Sequence, residues 1–167
     1  TGYWSDENIQ LGFNRLAIVD LSGAGHQPMQ SSQGNWSIVF NGEIYNHKEI
    51  RKNISDYSFK GHSDTETILA SLEQVGFEKT IKMLIGMFAI AAFHKPSNKL
   101  YVARDSVGIK PFFYHADAGN FWFASQFNQI IKGVGKKNVK LTASGMRDFL
   151  QFGYMQAPNT IYENIRQ

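Results

Sequence analysis

Five short runs rich in β-branched and aromatic residues, NWSIVF, GMFAIAAFH, KLYVARD, PFFYHA and NFWFAS, are bounded by Gly, Asn, Asp, Ser and Pro. Runs of this length between turn residues read as strands, and the last four follow one another closely enough to predict an antiparallel series. IQLGFNRLAIVD reads as an earlier strand, and LSGAGHQPMQSSQG, by its Gly, Ser and Pro content, as the loop after it. Helical patterns interrupt the strands. NHKEIRKNI has Ile50 and Ile54 at helical spacing. In SDTETILASLEQVG, Ser63 is placed to cap, Glu66 sits three residues on as in a capping box, and Gly76 marks the end. Ile68, Leu69, Leu72 and Val75 form the stripe that this helix would bury, and SGMRDFLQFG reads as a last helix. Strands, helices and then strands again predict an α+β fold of sheets flanked by helices.

Composition narrows the function classes. The 167 residues are 43% hydrophobic, enough for one core, and the formal net charge is only +3. The one cationic cluster, KGVGKKNVK, has no interleaved aromatic side chains to stack bases, so no nucleic-acid partner is expected. No stretch approaches the roughly 18 apolar residues of a membrane span, and no secretion signal is visible. The chain therefore reads as soluble and cytoplasmic, with no membrane partner. It contains no cysteine, and His26, His47, His62, His94 and His115 lack metal-ligand spacing, so no metal site is expected.

Four features carry polar chemistry. Arg15 offers a planar fork for a carboxylate, and Glu43 and Asp64 offer acceptors for an ammonium group. Asn41 and Gly42 offer a side-chain amide and an unobstructed backbone N–H, the donors that a tetrahedral oxyanion needs. Each has a plainer reading. An Asn-Gly pair is a common hairpin turn, Asp64 fits as a first-turn acid favoured by the helix dipole, and Arg15 fits a surface. ARDSVGIKPFF reads as a hairpin connection, Gly108 supplying the turn and Pro111 opening the next strand.

Five stretches in order, FNRLAIVDLSGAGHQPM, FNGEIYNHKEIR, GHSDTETIL, GMFAIAAF and ARDSVGIKPFFY, resemble successive motifs of the glutamine-hydrolysing domain of glutamine-dependent asparagine synthetases. The resemblance implies an N-terminal-nucleophile hydrolase fold, a four-layer sandwich with two antiparallel sheets between helical layers. It implies that Arg15 grips the carboxylate of L-glutamine beside Leu16, Ile18 and Val19, that Glu43 and Asp64 hold the α-amino group, and that Asn41 and Gly42 stabilise the oxyanion. It also implies a homodimeric parent in which a synthetase domain amidates aspartate with ATP and Mg, while this domain needs no cofactor.

The family's nucleophile is a cysteine at the mature N-terminus, and this sequence has no counterpart. Thr1-Gly2 imitates a Cys-Gly start, but by spacing Thr1 stands where the family's next strand begins. The expectation is an amidotransferase domain over residues 1–150 that lacks its first strand and helix, with 151–167 leading toward an absent synthetase domain. Such a chain is expected to be inactive alone. Two alternatives stay open: a non-catalytic glutamine-binding or assembly module, and a parent that amidates another carboxylate.

Overall fold

The computed structural model describes residues 1–14 and 25–167, which form two compact units, 1–110 and 111–167. The first unit is built on a four-stranded antiparallel sheet in the order β3 (Met29–Gln30), β4 (Trp36–Ile44), β5 (Gly86–His94) and β6 (Lys99–Arg104). Its first element is a separate antiparallel hairpin of β1 (Gly2–Asp6) and β2 (Ile9–Phe13). The α+β class with antiparallel sheets is thus what the structure shows.

Period-two alternation sorts the side chains of β4 and β5 onto two faces. Trp36, Ile38, Phe40 and Ile44, with Phe88, Ile90 and Ala92, form the main core against Ile50 of α1 (His47–Lys52) and Ile68, Leu69 and Leu72 of α2 (Asp64–Met83). Each buried aliphatic or aromatic side chain contributes about 1.5–3 kcal/mol by leaving water. On the opposite face the β1-β2 hairpin brings Trp4 against Phe93, with ring centroids 6.0 Å apart, and buries Leu11.

Ser63 caps α2 as its sequence predicts, its hydroxyl accepting from Glu66 N at 3.2 Å. The Glu66 carboxylate does not return to the cap. It accepts from Lys60 N at 2.6 Å and Gly61 N at 2.9 Å, and pairs with Arg51 at 3.0 Å. Gly76, at φ 76° and ψ 176°, ends the first helical segment of α2 as the sequence predicts. A second helical segment runs on to Met83, and a bond of 2.9 Å between the buried Ser71 and Thr80 hydroxyls spans the break.

Two strand readings need correction. Asn41-Gly42 is not a turn: β4 runs through it to Ile44, with Asn41 opposite Ala89 and Gly42 opposite Phe88. The reason is tertiary, because the β5 backbone passes so close to Gly42 that a Cβ there would lie 2.2 Å from Met87 O and 2.8 Å from Phe88 Cα. The four-strand series is likewise two pairs in separate sheets, β5 with β6 and β7 (Phe113–Ala116) with β8 (Phe121–Ala124). The β6 ladder ends at Arg104, where Asp105 spends its carboxylate on the following turn: it accepts from Ile109 N at 2.8 Å and Lys110 N at 3.0 Å.

The second unit carries the β7-β8 hairpin, α3 (Phe127–Val134) and α4 (Ala143–Phe152), around Ile130, Ile131 and Ile165. The last residues fold into it. Tyr114 and Arg166 exchange backbone bonds, both 2.9 Å, and the Thr160 hydroxyl donates to Ile165 O at 2.8 Å.

Candidate functional site

In an antiparallel strand the backbone groups of alternate residues point to alternate neighbours. On β4 the odd positions face β5: Tyr45 N donates to Ile85 O and Asn35 O accepts from Lys95 N, each at 2.8 Å. The even positions face the outer edge. There Trp36 O accepts from Ser31 N at 2.9 Å, and β3 pairs Met29 with Ile38. Beyond Met29 the chain leaves the sheet, and side chains take over.

Phe40 is closed by the amide of Gln27, whose Oε1 accepts from Phe40 N at 2.6 Å and whose Nε2 donates to Phe40 O at 3.1 Å. Ile44 N donates to the Asp64 carboxylate at 3.1 Å. Between them the ladder turns the N–H and C=O of Gly42 to this same edge, and among the described residues neither has a partner. The sequence expectation of an unobstructed N–H at Gly42 therefore has a geometric basis, though in a strand rather than in a turn.

Asn41 and Glu43 share the face of the sheet opposite α1 and α2. The cross-strand neighbour of Asn41 is Ala89, so no bulky side chain from β5 stands over its amide, and Glu43 is exposed. Asp64 is 5% exposed at the first turn of α2, accepting also from Thr65 N at 2.9 Å. Burial raises its carboxyl above the usual carboxylate range, against the pull of those two N–H groups and of nearby His47. The plainer reading of Asp64 as a solvated acid does not hold.

His47 opens α1, and burial lowers its pKa while Asp64 partly opposes that shift. Its Nδ1 is buried with no hydrogen-bond partner among the described residues. The structure thus brings Asn41, Gly42, Glu43 and Asp64 together around the end of β4. Arg15, Leu16, Ile18 and Val19 lie outside the described residues.

The ARDSVGIKPFF segment is not the hairpin connection its sequence suggests: it joins β6 to β7, strands of separate sheets, and β7 begins at Phe113 rather than at Pro111. Arg104 donates to Lys110 O at 2.6 Å and Gly108 O at 2.7 Å, and Gly108 takes φ +72° in the turn. Among the described residues no group of His, Cys, Asp or Glu side chains is placed to hold a metal, and no helix is long and apolar enough to cross a membrane. Sequence reasoning gave Gln27 no role. Its residue type carries no signal, and only the strand register reveals what it does.

A family model described as a glutamine amidotransferase domain matches residues 1–167. The chain is 33% identical to the glutamine-hydrolyzing asparagine synthetase 1 of Bacillus subtilis over 99% of its own length and 26% of that protein. It is 32% identical to asparagine synthetase 3 of the same organism, over 98% of the chain and 27% of the relative. A glutamine-hydrolyzing asparagine synthetase of Arabidopsis thaliana is 37% identical over 74% of the chain and 21% of its own length. The chain spans about a quarter of the length of these relatives.

Proposed function

Because the chain belongs to the glutamine amidotransferase domain family, we propose that it is the glutamine-hydrolysing part of an asparagine synthetase-like enzyme. In this reading it releases glutamate and passes ammonia to a synthetase portion that amidates aspartate. The observation that carries the proposal is the outward, unpaired N–H of Gly42 beside the Asn41 amide. As the δ-carbonyl of glutamine becomes tetrahedral, its oxygen gains charge, and two preorganised donors at that point favour the transition state over the substrate.

The spacing suits the substrate. Gly42 and Ile44 point the same way, about 6.8 Å apart along the strand, and Asp64 sits at Ile44. Four bonds of about 1.5 Å separate the α-nitrogen of glutamine from its δ-carbon, a reach of about 5 Å when extended. An α-ammonium group held by Asp64 and Glu43 therefore leaves the carbonyl near Gly42 and Asn41. Arg15, flanked by Leu16, Ile18 and Val19, would take the carboxylate.

The 167 residues contain no cysteine, so the attacking thiol in this reading comes from outside them. Residues 1–150 make up the amidotransferase part, and 151–167 lead toward the synthetase portion. ATP and Mg belong to that portion. The parent works in the cytoplasm as a homodimer.

The test is glutamate release from glutamine by the full-length natural polypeptide and by its Asn41→Ala variant. The expected result is hydrolysis by the first and a loss of about 10²–10³ in kcat in the second. An unchanged kcat refutes the oxyanion role. The missing cysteine favours one other reading, a glutamine-binding or assembly module, and it takes over if the natural polypeptide binds glutamine without hydrolysing it.

A further inference from the structure

The register of β3 against β4 pairs Met29 with Ile38 and Gln30 with Ser37. Continued in the same register, the backbone of Gln27 would face Phe40, and that of Gly25 would face Gly42. A strand running that far would cover the Gly42 N–H. It does not run that far, and Phe40 is nevertheless fully paired, because the Gln27 side chain makes the bonds that its own backbone would have made. Its amide accepts from Phe40 N at 2.6 Å and donates to Phe40 O at 3.1 Å, the two-bond exchange of an antiparallel hydrogen-bonded pair. A second donation, to Thr65 Oγ1 at 3.3 Å, ties the same amide to the first turn of α2. Gln27 is 7% exposed, so these bonds form in a low-dielectric setting where losing them is costly.

We propose that Gln27 is a positioning residue for the Gly42 oxyanion donor: its amide replaces a strand neighbour at Phe40, ending the sheet edge short of Gly42 while fixing the strand direction there. This deepens the amidotransferase reading and rests on it. The amide of Gln27 touches Phe40, two residues before Gly42, and Thr65, the residue after Asp64. Gln27 therefore links the element that would bind the oxyanion to the element that would bind the amine. Removing the amide frees β4 to shift by a fraction of an ångström, and misplacement on the order of 1 Å is enough to cost about a hundredfold in rate.

The test compares the full-length natural polypeptide with its Gln27→Met and Gln27→Glu variants. Met keeps the length of the side chain and removes every bond. Glu keeps an acceptor for Phe40 N and removes both donations. Three quantities are read: kcat for glutamine, Ki for the aldehyde analogue of glutamine, which forms a tetrahedral adduct, and Ki for L-glutamate, which does not.

The expected result is a loss in kcat of about ten- to a hundredfold, a rise in the aldehyde Ki by a similar factor, and a glutamate Ki within about twofold of wild type. Both Ki values are independent of the fraction of molecules that are folded, so a merely structural role would lower kcat and leave them alone. That outcome overturns the proposal, as does no change in kcat and aldehyde Ki, or a parallel rise in both Ki values. Failure of the underlying reading looks different: the wild-type polypeptide itself would neither hydrolyse glutamine nor bind the aldehyde.

Discussion

Replacing Gly42 with alanine probes a close backbone approach at the site. An added Cβ would sit 2.2 Å from Met87 O and 2.8 Å from Phe88 Cα, and both are main-chain atoms of a central strand. Ordinary contact to an oxygen needs about 1 Å more, so β4 and β5 must part locally or the strand must twist. Overpacking a well-filled interior costs about 1–3 kcal/mol, and with no side chain able to yield, the upper figure of about 3 kcal/mol applies. For a chain of this size that lowers Tm by about 10 °C. Urea and thermal denaturation of the Gly42→Ala variant measure it. Gly12→Ala is the matched control, because that strand glycine meets only the ring of Tyr3, at 3.3 Å, and Tyr3 is 83% exposed and free to move. The control should stay within about 0.5 kcal/mol of wild type. A Gly42→Ala variant as stable as the control would refute the claim that backbone proximity selects glycine there.

Three other perturbations follow from the same geometry. Burial raises the Asp64 carboxyl, so the folded state holds that proton more tightly than the unfolded chain does. Its contribution to stability then falls as pH rises from the ordinary carboxylate value through the raised one. Asp64→Asn should gain on wild type across that window, and parallel pH profiles of the denaturation midpoints would refute this. Asp105 runs the other way. Burial pushes its carboxyl up, but the N–H groups of Lys110, Ile109, Phe88 and Gly108 outweigh it and hold the carboxyl below the ordinary range. Its stabilisation is present above the ordinary carboxylate value and is lost as pH falls through the lowered one. Asp105→Asn should cost about 3 kcal/mol at neutral pH, with the difference shrinking in acid, and a difference that persists unchanged in acid would contradict the assignment. Arg51 lies 3.7 Å over the Phe59 ring and donates to Gly61 O at 2.6 Å and Glu66 at 3.0 Å. Arg51→Ala leaves the buried Glu66 short of its cation, at a cost of about 3 kcal/mol. A double-mutant cycle with Glu66→Ala should show coupling above about 1 kcal/mol, and coupling near zero would sink the pairing.

Much of the first unit was legible because its signals are local. The strands read in NWSIVF and GMFAIAAFH, the Ser63 cap and the buried Ile68, Leu69 and Leu72 appear where the sequence puts them, whereas Val75, read as part of that stripe, is 39% exposed. What failed depended on partners distant in sequence. Asn-Gly is a turn dipeptide by its own preferences, yet here glycine answers to the β5 backbone, which no local rule sees. Gly76 ends the first segment of α2 as read, but the second segment that follows it, tied back by the buried bond between Ser71 and Thr80, was not seen. Helix α3 escaped notice because Gln126 gives it no side-chain cap and only Ile130 and Ile131 are buried. The strands β7 and β8 were visible as strands, whereas their separation from β5 and β6 depended on where Asp105 directs its carboxylate. For the site, residue types suggested acceptors and donors, and the resemblance arranged them. The structure adds the edge geometry for Asn41, Gly42, Glu43 and Asp64.

The two strand departures beside the site follow one physical rule. Where β3 leaves β4, the side chain at the next register position, Gln27, pairs with Phe40 in place of its own backbone. Where β6 leaves β5, Asp105 N still donates to Phe88 O at 2.8 Å, but Phe88 N is taken by the Asp105 carboxylate at 3.2 Å rather than by its carbonyl. In both cases the chain turns away without orphaning a buried backbone group, which would cost about 1–3 kcal/mol. Phe88 and Gly42 face each other across β4 and β5, so one member of this central pair has a closed outer edge and the other an open one. The asymmetry separates polar side chains committed to the backbone from groups with capacity to spare. Asp105 and Gln27 are occupied in holding strand ends, and Asp64 has one oxygen committed to Ile44 and the other to Thr65. A carboxylate oxygen accepts more than one hydrogen bond, so Asp64 keeps capacity for an ammonium group while anchored. The Gly42 N–H, with a single hydrogen to give, has no partner among the described residues and is the group that this edge leaves open.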